Sequence, residues 1–271
     1  MGYNIDAMME AQIPAVPKLE LPTEDGIPME NAWHRMQMDL LIESLLYHWR
    51  ERSDFFVGGN MFIYYSFEQA QSVIEGRPLY RGPDFFVVKG VDGTKPRDCW
   101  IVWEEGGRYP DVIIEFLSPT TADEDRRVKK SLYEQVFGTE EYFWYDPLTQ
   151  ELMGFELVEG QYQPKQANPN GWLWSEVLEA WLGVWEGEYQ RRHLAWLRLY
   201  DRDGNLVPTP AEAAQQQAEV ERLQAEIERQ RAEIERQRAE MERQRAERAE
   251  AELQRLKALL QAHGIEQEPN T

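Results

Sequence analysis

The sequence predicts a mixed α/β domain followed by one long charged helix. The aromatic residues (10 Trp, 12 Tyr and 10 Phe in 271 residues) all fall before residue 201, where a packed core would need them. Short β-rich runs alternate with helical patterns in the same region. From about Pro210 the chain consists mainly of Ala, Glu, Gln and Arg with a seven-residue repeat, which is typical of a long helix.

The chain opens with a proline-rich stretch and then changes to a helical pattern. Prolines at positions 14, 17, 22 and 28 lie among mixed polar residues, which predicts an irregular lead-in at residues 1–28. From residue 29 apolar residues recur at helical spacing, which predicts a first helix of about 20 residues. This helix opens the predicted domain, residues 29–205.

Short runs rich in β-branched and aromatic residues follow the first helix. Segments that contain Gly and Pro separate them, so we expect short strands in a hairpin-rich sheet. The runs are DFFVGGNMFIYYS, DFFVVKG, CWIVWEE, PDVIIEFLS, EYFWYDP and ELMGFELVEGQYQP. A Trp-rich segment, GWLWSEVLEAWLGVWEGEY, closes the domain.

A helix is predicted between PDVIIEFLS and EYFWYDP. Thr121 can cap its N-terminus, with Glu124 three residues later as in a capping box. We expect the helix to end at Phe137, with Gly138 as its left-handed C′ residue.

One face of this helix carries residues suited to phosphate chemistry. Asp125, Lys129 and Tyr133 are spaced by four residues and therefore share a face. That face could look back at the strand ends, where a lysine could stabilise charge on a phosphate. Alternatively, Asp125 and Lys129 pair with each other on a solvated surface.

The C-terminal part is predicted to be a heptad-patterned helix at residues 210–262 with a flexible tail at 263–271. Every seventh position is apolar, at Val220, Ile227, Ile234 and Met241. The positions three residues further on are Leu223, Gln230, Gln237 and Gln244. A half-polar seam specifies only a weak coiled coil, so a solvated helix and a homo-oligomer through this helix are both compatible with it.

Charge and cysteine content restrict the function. The net charge is −20, and from Glu212 onward 10 Lys and Arg stand against 14 Asp and Glu, so the preceding part carries −16. Such a domain will not attract nucleic acid through its overall field, and binding would need a local site. A lone cysteine, Cys99, fits a reducing, cytoplasmic compartment. Neither a signal peptide nor a membrane span is expected, because no continuous apolar run is long enough.

Two predicted strands each carry an acid among apolar residues, Asp84 in GPDFFVV and Glu115 in PDVIIEFLS. If these strands are neighbours, the two carboxylates converge at one end of the sheet and could hold Mg²⁺ through oxygen ligands. Alternatively, Asp84 is merely a turn residue. Asp111 lies about 13 Å from Glu115 along the same strand, so it cannot share an ion and is expected to be a structural strand-entry residue.

Other common active-site motifs are missing from the sequence. The four histidines, at positions 34, 48, 193 and 263, show no zinc-ligand spacing. No P-loop, dinucleotide fingerprint or G-x-S-x-G motif is present, which disfavours nucleotide-driven and serine-nucleophile chemistry.

The series GPD, PDVIIEFLSPTT and DRRVKKSLYEQVFGTEEYFWYDP resembles the Uma-two family of restriction endonucleases, a branch of the PD-(D/E)XK nuclease superfamily. The resemblance covers about residues 25–205 and is most specific at 110–147. It implies a restriction-endonuclease-like mixed central sheet flanked by helices. It also implies that Asp84 and Glu115 bind Mg²⁺ or Mn²⁺.

The third catalytic residue departs from the superfamily pattern. That pattern has Lys two residues after the glutamate, whereas this sequence has Leu117 there. In the Uma-two branch the basic residue stands on the following helix, and Lys129, four residues before Tyr133, matches that branch's K-x-x-x-Y. The resemblance therefore implies that Lys129 positions water or neutralises charge in the transition state.

The leading prediction is thus a metal-dependent endonuclease that hydrolyses DNA phosphodiester bonds, with Asp84, Glu115 and Lys129 as catalytic residues and DNA as substrate. The alternative is a catalytically silent nuclease-fold module that oligomerises or recruits partners through its C-terminal helix. Further residues that could contribute to the site are Asp111, Asp125, Lys130, Glu43 and Asp39.

Overall fold

The computed structural model describes residues 32–75, 82–118 and 124–262. The chain forms two compact units, Met1–Pro210 and Ala211–Thr271. The predicted lead-in at 1–28, the Thr121 cap and the tail at 263–271 lie outside the described residues. No helix in the described ranges has the length and apolar character that crossing a membrane requires.

The first unit is built around a mixed sheet. In chain order its elements are α1 (Ala32–His48), β1 (Phe55–Gly58), β2 (Ile63–Tyr64), α2 (Phe67–Ile74), β3 (Phe85–Lys89), β4 (Trp100–Ile101), β5 (Val112–Phe116), α3 (Lys130–Leu132), β6 (Glu141–Asp146), β7 (Glu151–Val158), β8 (Gln161–Pro164), β9 (Leu173–Ser175), β10 (Ala180–Tyr189) and β11 (Arg192–Tyr200). Six strands form one sheet in the order β1-β3-β5-β6-β7-β8. Because β5 and β6 are parallel while the other neighbours are antiparallel, the predicted mixed α/β fold is confirmed.

The connection from β5 to β6 contains a helical segment that is wider than an α-helix. Glu124–Lys129 and Tyr133–Phe137 are π-helical, and the single α-helical turn α3 lies between them. The segment ends at Phe137, and Gly138 adopts a left-handed conformation with φ of 62°, as predicted. Its N–H donates to the carbonyl of Tyr133, which closes the last turn.

Alternate residues of the central strands enter two separate cores, as the two-residue period of a strand requires. One core lies between the sheet, α1 and the strands β9–β11, and it includes Leu41, Leu45, Phe85, Val87, Ile114, Phe143, Leu182 and Leu197. The other lies on the opposite face and includes Phe86, Val88, Trp100, Ile113, Tyr133, Phe137, Tyr142 and Trp144. Each core residue buries apolar area worth about 25 cal/mol per Å².

A second, antiparallel sheet of order β11-β10-β9 anchors α1. The buried Gln37 of α1 donates its Nε2 to the Leu197 carbonyl (2.9 Å), and its Oε1 accepts from the Leu197 N–H (2.8 Å). One amide side chain therefore satisfies both backbone groups of a β11 residue and fixes α1 against the sheet.

The second unit consists, in its described part, of the helix α4 (Pro210–Ala262), which begins with the last residue of the first unit. The apolar side chains of the heptad seam are about half exposed, from 47% at Val220 to 55% at Met241. Intrahelical contacts such as Arg243 with Glu247 (3.0 Å) support the helix locally.

Candidate active site

The antiparallel pairing of β3 with β5 places the two predicted acids side by side. Phe85 lies opposite Ile114, so Asp84, the residue before β3, falls beside Glu115. The backbone N–H of Asp84 donates to Glu115 Oε2 at 3.4 Å. The sequence condition for a shared site, that the two strands be neighbours, is therefore met.

The turn before β3 depends on a glycine. A Cβ atom added to Gly82 would collide with the backbone of Met61, because the two segments approach each other closely there. The adjacent Pro83 carbonyl accepts a hydrogen bond from the Asn60 N–H (3.0 Å). The GPD sequence thus locks the start of β3 against the preceding loop and fixes the position of Asp84.

Glu115 is a buried carboxylate with several donors. Its side chain is 0% exposed, and it lies on the sheet face that the helical segment covers. Lys129 Nζ donates to Oε2 at 3.0 Å, and the Tyr133 hydroxyl donates to Oε1 at 2.6 Å. The predicted face of Lys129 and Tyr133 therefore does look back at the strand ends, and it neutralises a charge that burial would otherwise penalise.

Asp84 is held by two donors on one oxygen. The Phe116 N–H donates to Oδ2 at 2.7 Å, and His34 Nε2 lies 3.2 Å from the same oxygen. Burial raises the pKa of Asp84, but the hydrogen bond and charge of His34, the charge of Lys129 and the Phe116 N–H outweigh it and hold that pKa below its ordinary value. Asp84 is thus kept ionised, and both described hydrogen bonds to its carboxylate use Oδ2.

No sequence pattern indicates His34 as a member of this cluster. The side chain is 8% exposed, and its ring makes edge contacts with Trp33 and Phe116 at centroid distances of 5.8 and 5.7 Å. It stands 50 residues before Asp84, and no local spacing links the two. The signal that could have found it is a histidine in the first turn of the helix, seven and eleven residues before the buried Leu41 and Leu45.

The described contacts of Asp111, Lys130, Asp39 and Glu43 are with residues other than Asp84 and Glu115. Asp111 accepts the backbone N–H of Lys89 at 2.5 Å, as a strand-entry residue would. Lys130 lies over the Phe155 ring, 3.6 Å from its centroid, and burial lowers the pKa of its ammonium. Asp39 and Glu43 act electrostatically on Tyr189, and the Asp125 side chain lies outside what the structure describes.

The donor set suits a hard cation bound in part by water. In the described ranges no three His, Cys, Asp or Glu side chains are grouped to hold a metal, so a closed protein cage is not present there. Mg²⁺ is usually bound through one or two carboxylates, with waters and phosphate oxygens completing its coordination. Two adjacent carboxylates, with Asp84 Oδ1 clear of the described hydrogen bonds and its side chain 20% exposed, fit that mode.

The comparison with protein families indicates a nuclease relationship. The model of the Uma2 family, described as "Putative restriction endonuclease", matches residues 10–184, a range that contains the whole cluster. No curated protein matches the chain. Among solved structures, it is similar to a "putative nuclease belonging to DUF820" from Anabaena variabilis ATCC 29413, at 13% identity and a TM-score of 0.39, covering 62% of this chain and 80% of that one.

Proposed function

Because this chain belongs to the Uma2 family of restriction-endonuclease-type proteins, we propose that it is a metal-dependent endonuclease that hydrolyses DNA phosphodiester bonds. Family membership supports the nuclease function. The proposal of a metal-dependent reaction is supported by the contacts of Glu115 with Asp84 and Lys129 at one end of β3 and β5. A cysteine that forms no disulfide fits the reducing cytoplasm, and so does a DNA substrate.

In this proposal Asp84 and Glu115 hold Mg²⁺ or Mn²⁺, which when bound would polarise a phosphate oxygen and lower the pKa of an attacking water. The protein side chains prepare the ligands for this role. His34 and the Phe116 N–H fix Oδ2 of Asp84, so the orientation of the carboxylate is set before substrate arrives. Tyr133 fixes Oε1 of Glu115 in the same way.

Lys129 supplies a positive charge to the site beside Glu115. Its side chain is 12% exposed, and its ammonium pairs with the Glu115 carboxylate in a setting where water screens charge weakly. A phosphate that approached the two carboxylates would meet this ammonium, which could stabilise the charge that builds up on the phosphate oxygens or position the attacking water. This local charge is needed because the preceding domain sequence carries −16 overall.

Cleavage assays with matched lysine variants test the proposal. Purified full chain is incubated with single- and double-stranded DNA in Mg²⁺, Mn²⁺ or EDTA, and we expect cleavage that requires a divalent ion. Glu115→Ala should abolish it, and Lys129→Ala should slow it by about 10²–10³-fold, as loss of a transition-state charge does. Lys130→Ala removes the neighbouring lysine, which packs on Phe155 instead, and should cleave like the wild type.

Circular dichroism and thermal unfolding show whether each variant is folded. Folded Glu115→Ala and Lys129→Ala proteins that both cleave at the wild-type rate would contradict the assignment. Absence of cleavage by every protein, together with no Mg²⁺ binding in calorimetry, would favour the alternative, a catalytically silent interaction module. The observation that supports that alternative is the exposed seam of α4.

A further inference from the structure

The exposed seam of α4 has a complete heptad register. With Val220, Ile227, Ile234 and Met241 at a positions, the d positions carry Leu223, Gln230, Gln237 and Gln244. The a side chains are about half exposed along the helix, at 47, 50, 51 and 55% in chain order. Three of these four a residues are β-branched, and in parallel coiled coils β-branched residues at a with Leu at d, the combination of Val220 with Leu223, favour two strands.

The residues that flank this seam are charged, negative on one side and positive on the other. The g positions carry Glu226, Glu233 and Glu240, and the e positions of the following heptads carry Arg231, Arg238 and Arg245. In a parallel, in-register pair, each g residue of one helix meets the e residue five positions later on the other. Each of these three interhelical contacts joins a Glu to an Arg. The two-fold symmetry of the dimer gives two copies of each contact.

The same flanks disfavour the opposite orientation. In an antiparallel pair g faces g and e faces e, so three Glu would meet Glu and three Arg would meet Arg. We infer that α4 is a dimerisation element whose partner is α4 of a second copy of this chain, aligned parallel and in register over residues 220–247. The charge pattern selects the partner, the direction and the register together.

The intrahelical contacts leave this pattern intact. The ion pairs described within α4 use Arg222 and Arg243, which stand at c positions on the outer surface. The d glutamines Gln237 and Gln244 donate to Glu233 and Glu240 of their own helix, at 3.1 and 3.4 Å. These exposed contacts leave the glutamates turned toward the seam. Polar d residues cost stability, so the dimer should dissociate on dilution.

A charge-exchange experiment on the full chain tests the pairing. Sedimentation equilibrium of the wild type up to about 100 µM should show a concentration-dependent dimer. The triple variant Arg231→Glu, Arg238→Glu, Arg245→Glu should dissociate at least roughly a hundredfold more easily, because attraction becomes repulsion at every g–e meeting. The complementary variant Glu226→Arg, Glu233→Arg, Glu240→Arg should do the same, and an equimolar mixture of the two should form heterodimers.

The matched control makes the same three Arg→Glu substitutions at positions outside the seam. Arg229→Glu, Arg236→Glu and Arg243→Glu stand at c positions with the same spacing and the same change of net charge. This control should dimerise like the wild type, and circular dichroism should show all variants to be helical. A wild type that is monomeric throughout, or a helical e-position variant that dimerises no more weakly than the c-position control, would overturn the inference.

A cross-link tests the direction of the pair. In a Cys99→Ser background, Gln244→Cys places one thiol near the C-terminal end of the seam, where a parallel register brings it opposite its own copy. Mild oxidation should join the two chains through residue 244. If the dimer forms but this cross-link does not, the parallel alignment is wrong.

Discussion

The site places a fully buried carboxylate within reach of three donors. Glu115 receives hydrogen bonds from Lys129, from Tyr133 and, at a longer distance, from the backbone of Asp84. An ionised carboxylate without partners would cost several kcal/mol in such surroundings, so these donors stabilise the fold as well as orient the acid. Removing one of them should therefore be felt in stability even without substrate.

Tyr133→Phe isolates the hydroxyl contribution. We expect the free energy of unfolding to fall by about 1.5–3 kcal/mol, because a buried charged acceptor loses its donor. Tyr145→Phe is the matched control, since that hydroxyl donates to the neutral Ala195 carbonyl at 3.3 Å and should cost only about 0.5–1.5 kcal/mol. Urea unfolding of both variants gives the comparison, and equal losses would show that the charge of Glu115 does not strengthen the bond.

His34 is expected to act as a positioning residue for Asp84. His34→Gln can present an amide donor near the position of Nε2, whereas His34→Phe keeps the ring and removes the donor. We expect Mg²⁺ affinity, measured by calorimetry, to fall about 10- to 100-fold in His34→Phe and to recover largely in His34→Gln. If both variants remain folded and bind Mg²⁺ as the wild type does, His34 does not orient the site.

At this scale the sequence revealed the acids and the lysine face but not their partner on α1. Glu115 was conspicuous because a carboxylate rarely stands in an apolar strand, and the i, i+4 spacing related Lys129 to Tyr133. His34 reaches Asp84 only through packing of α1 on the sheet, which no local spacing encodes. The roles of Asp84, Glu115 and Lys129 remain predictions for the assays above.

At the scale of the elements, the loop around β4 is fixed by ion pairs to one carboxylate, that of Glu105. Arg97 donates through Nε and Nη2 to the two oxygens of Glu105, each at 2.9 Å, and its guanidinium lies over the rings of Phe56 and Trp100. Lys95 Nζ adds a contact to Glu105 at 2.6 Å. The Arg97 hydrogen bonds, with Lys95 and both positive charges, hold the pKa of Glu105 below its ordinary value despite partial burial.

We expect Glu105→Gln to lower the free energy of unfolding by an amount that depends on pH. A folded-state pKa below the unfolded one means that the stabilisation is present above the ordinary glutamate value of 4.5 and is lost as pH falls through the folded value. Urea unfolding should show Glu105→Gln less stable by about 1–2 kcal/mol from pH 7 to about 5, with the difference shrinking at lower pH. The exposed neighbour variant, Glu104→Gln, should stay within about 0.5 kcal/mol throughout, and a loss of similar size there would contradict the argument.

Strands with a clear local pattern were predicted well, whereas β11 and the π-helical turns were not. The runs around β3, β5 and β6 appear where their β-branched and aromatic residues predict them, and Gly138 ends the helical segment as expected. The strand β11 was not identified, because the segment RRHLAWLRLY alternates poorly and its register comes from pairing with β10. The π-helical turns were not predicted either, since helical spacing in a sequence does not distinguish them from an α-helix.

On the scale of the whole molecule, the change in composition near residue 200 is a clearer feature of the sequence than any single motif. The aromatic residues that build both cores end near residue 200, and the Ala, Glu, Gln and Arg region that follows forms α4. Composition does not indicate whether two α4 helices would pair in parallel or antiparallel orientation. That information lies in which residues flank the seam, and it becomes visible only once a register is assigned.

The outer strands of the six-stranded sheet have a consequence for aggregation. Within the described sheet the edges are β1 and β8, and each is only four residues long. β8 ends at Pro164, which has no N–H to offer a further strand, and Lys165 follows it. Another copy could therefore gain few backbone hydrogen bonds by extending the sheet at β8, which makes that edge a poor template for amyloid-like growth.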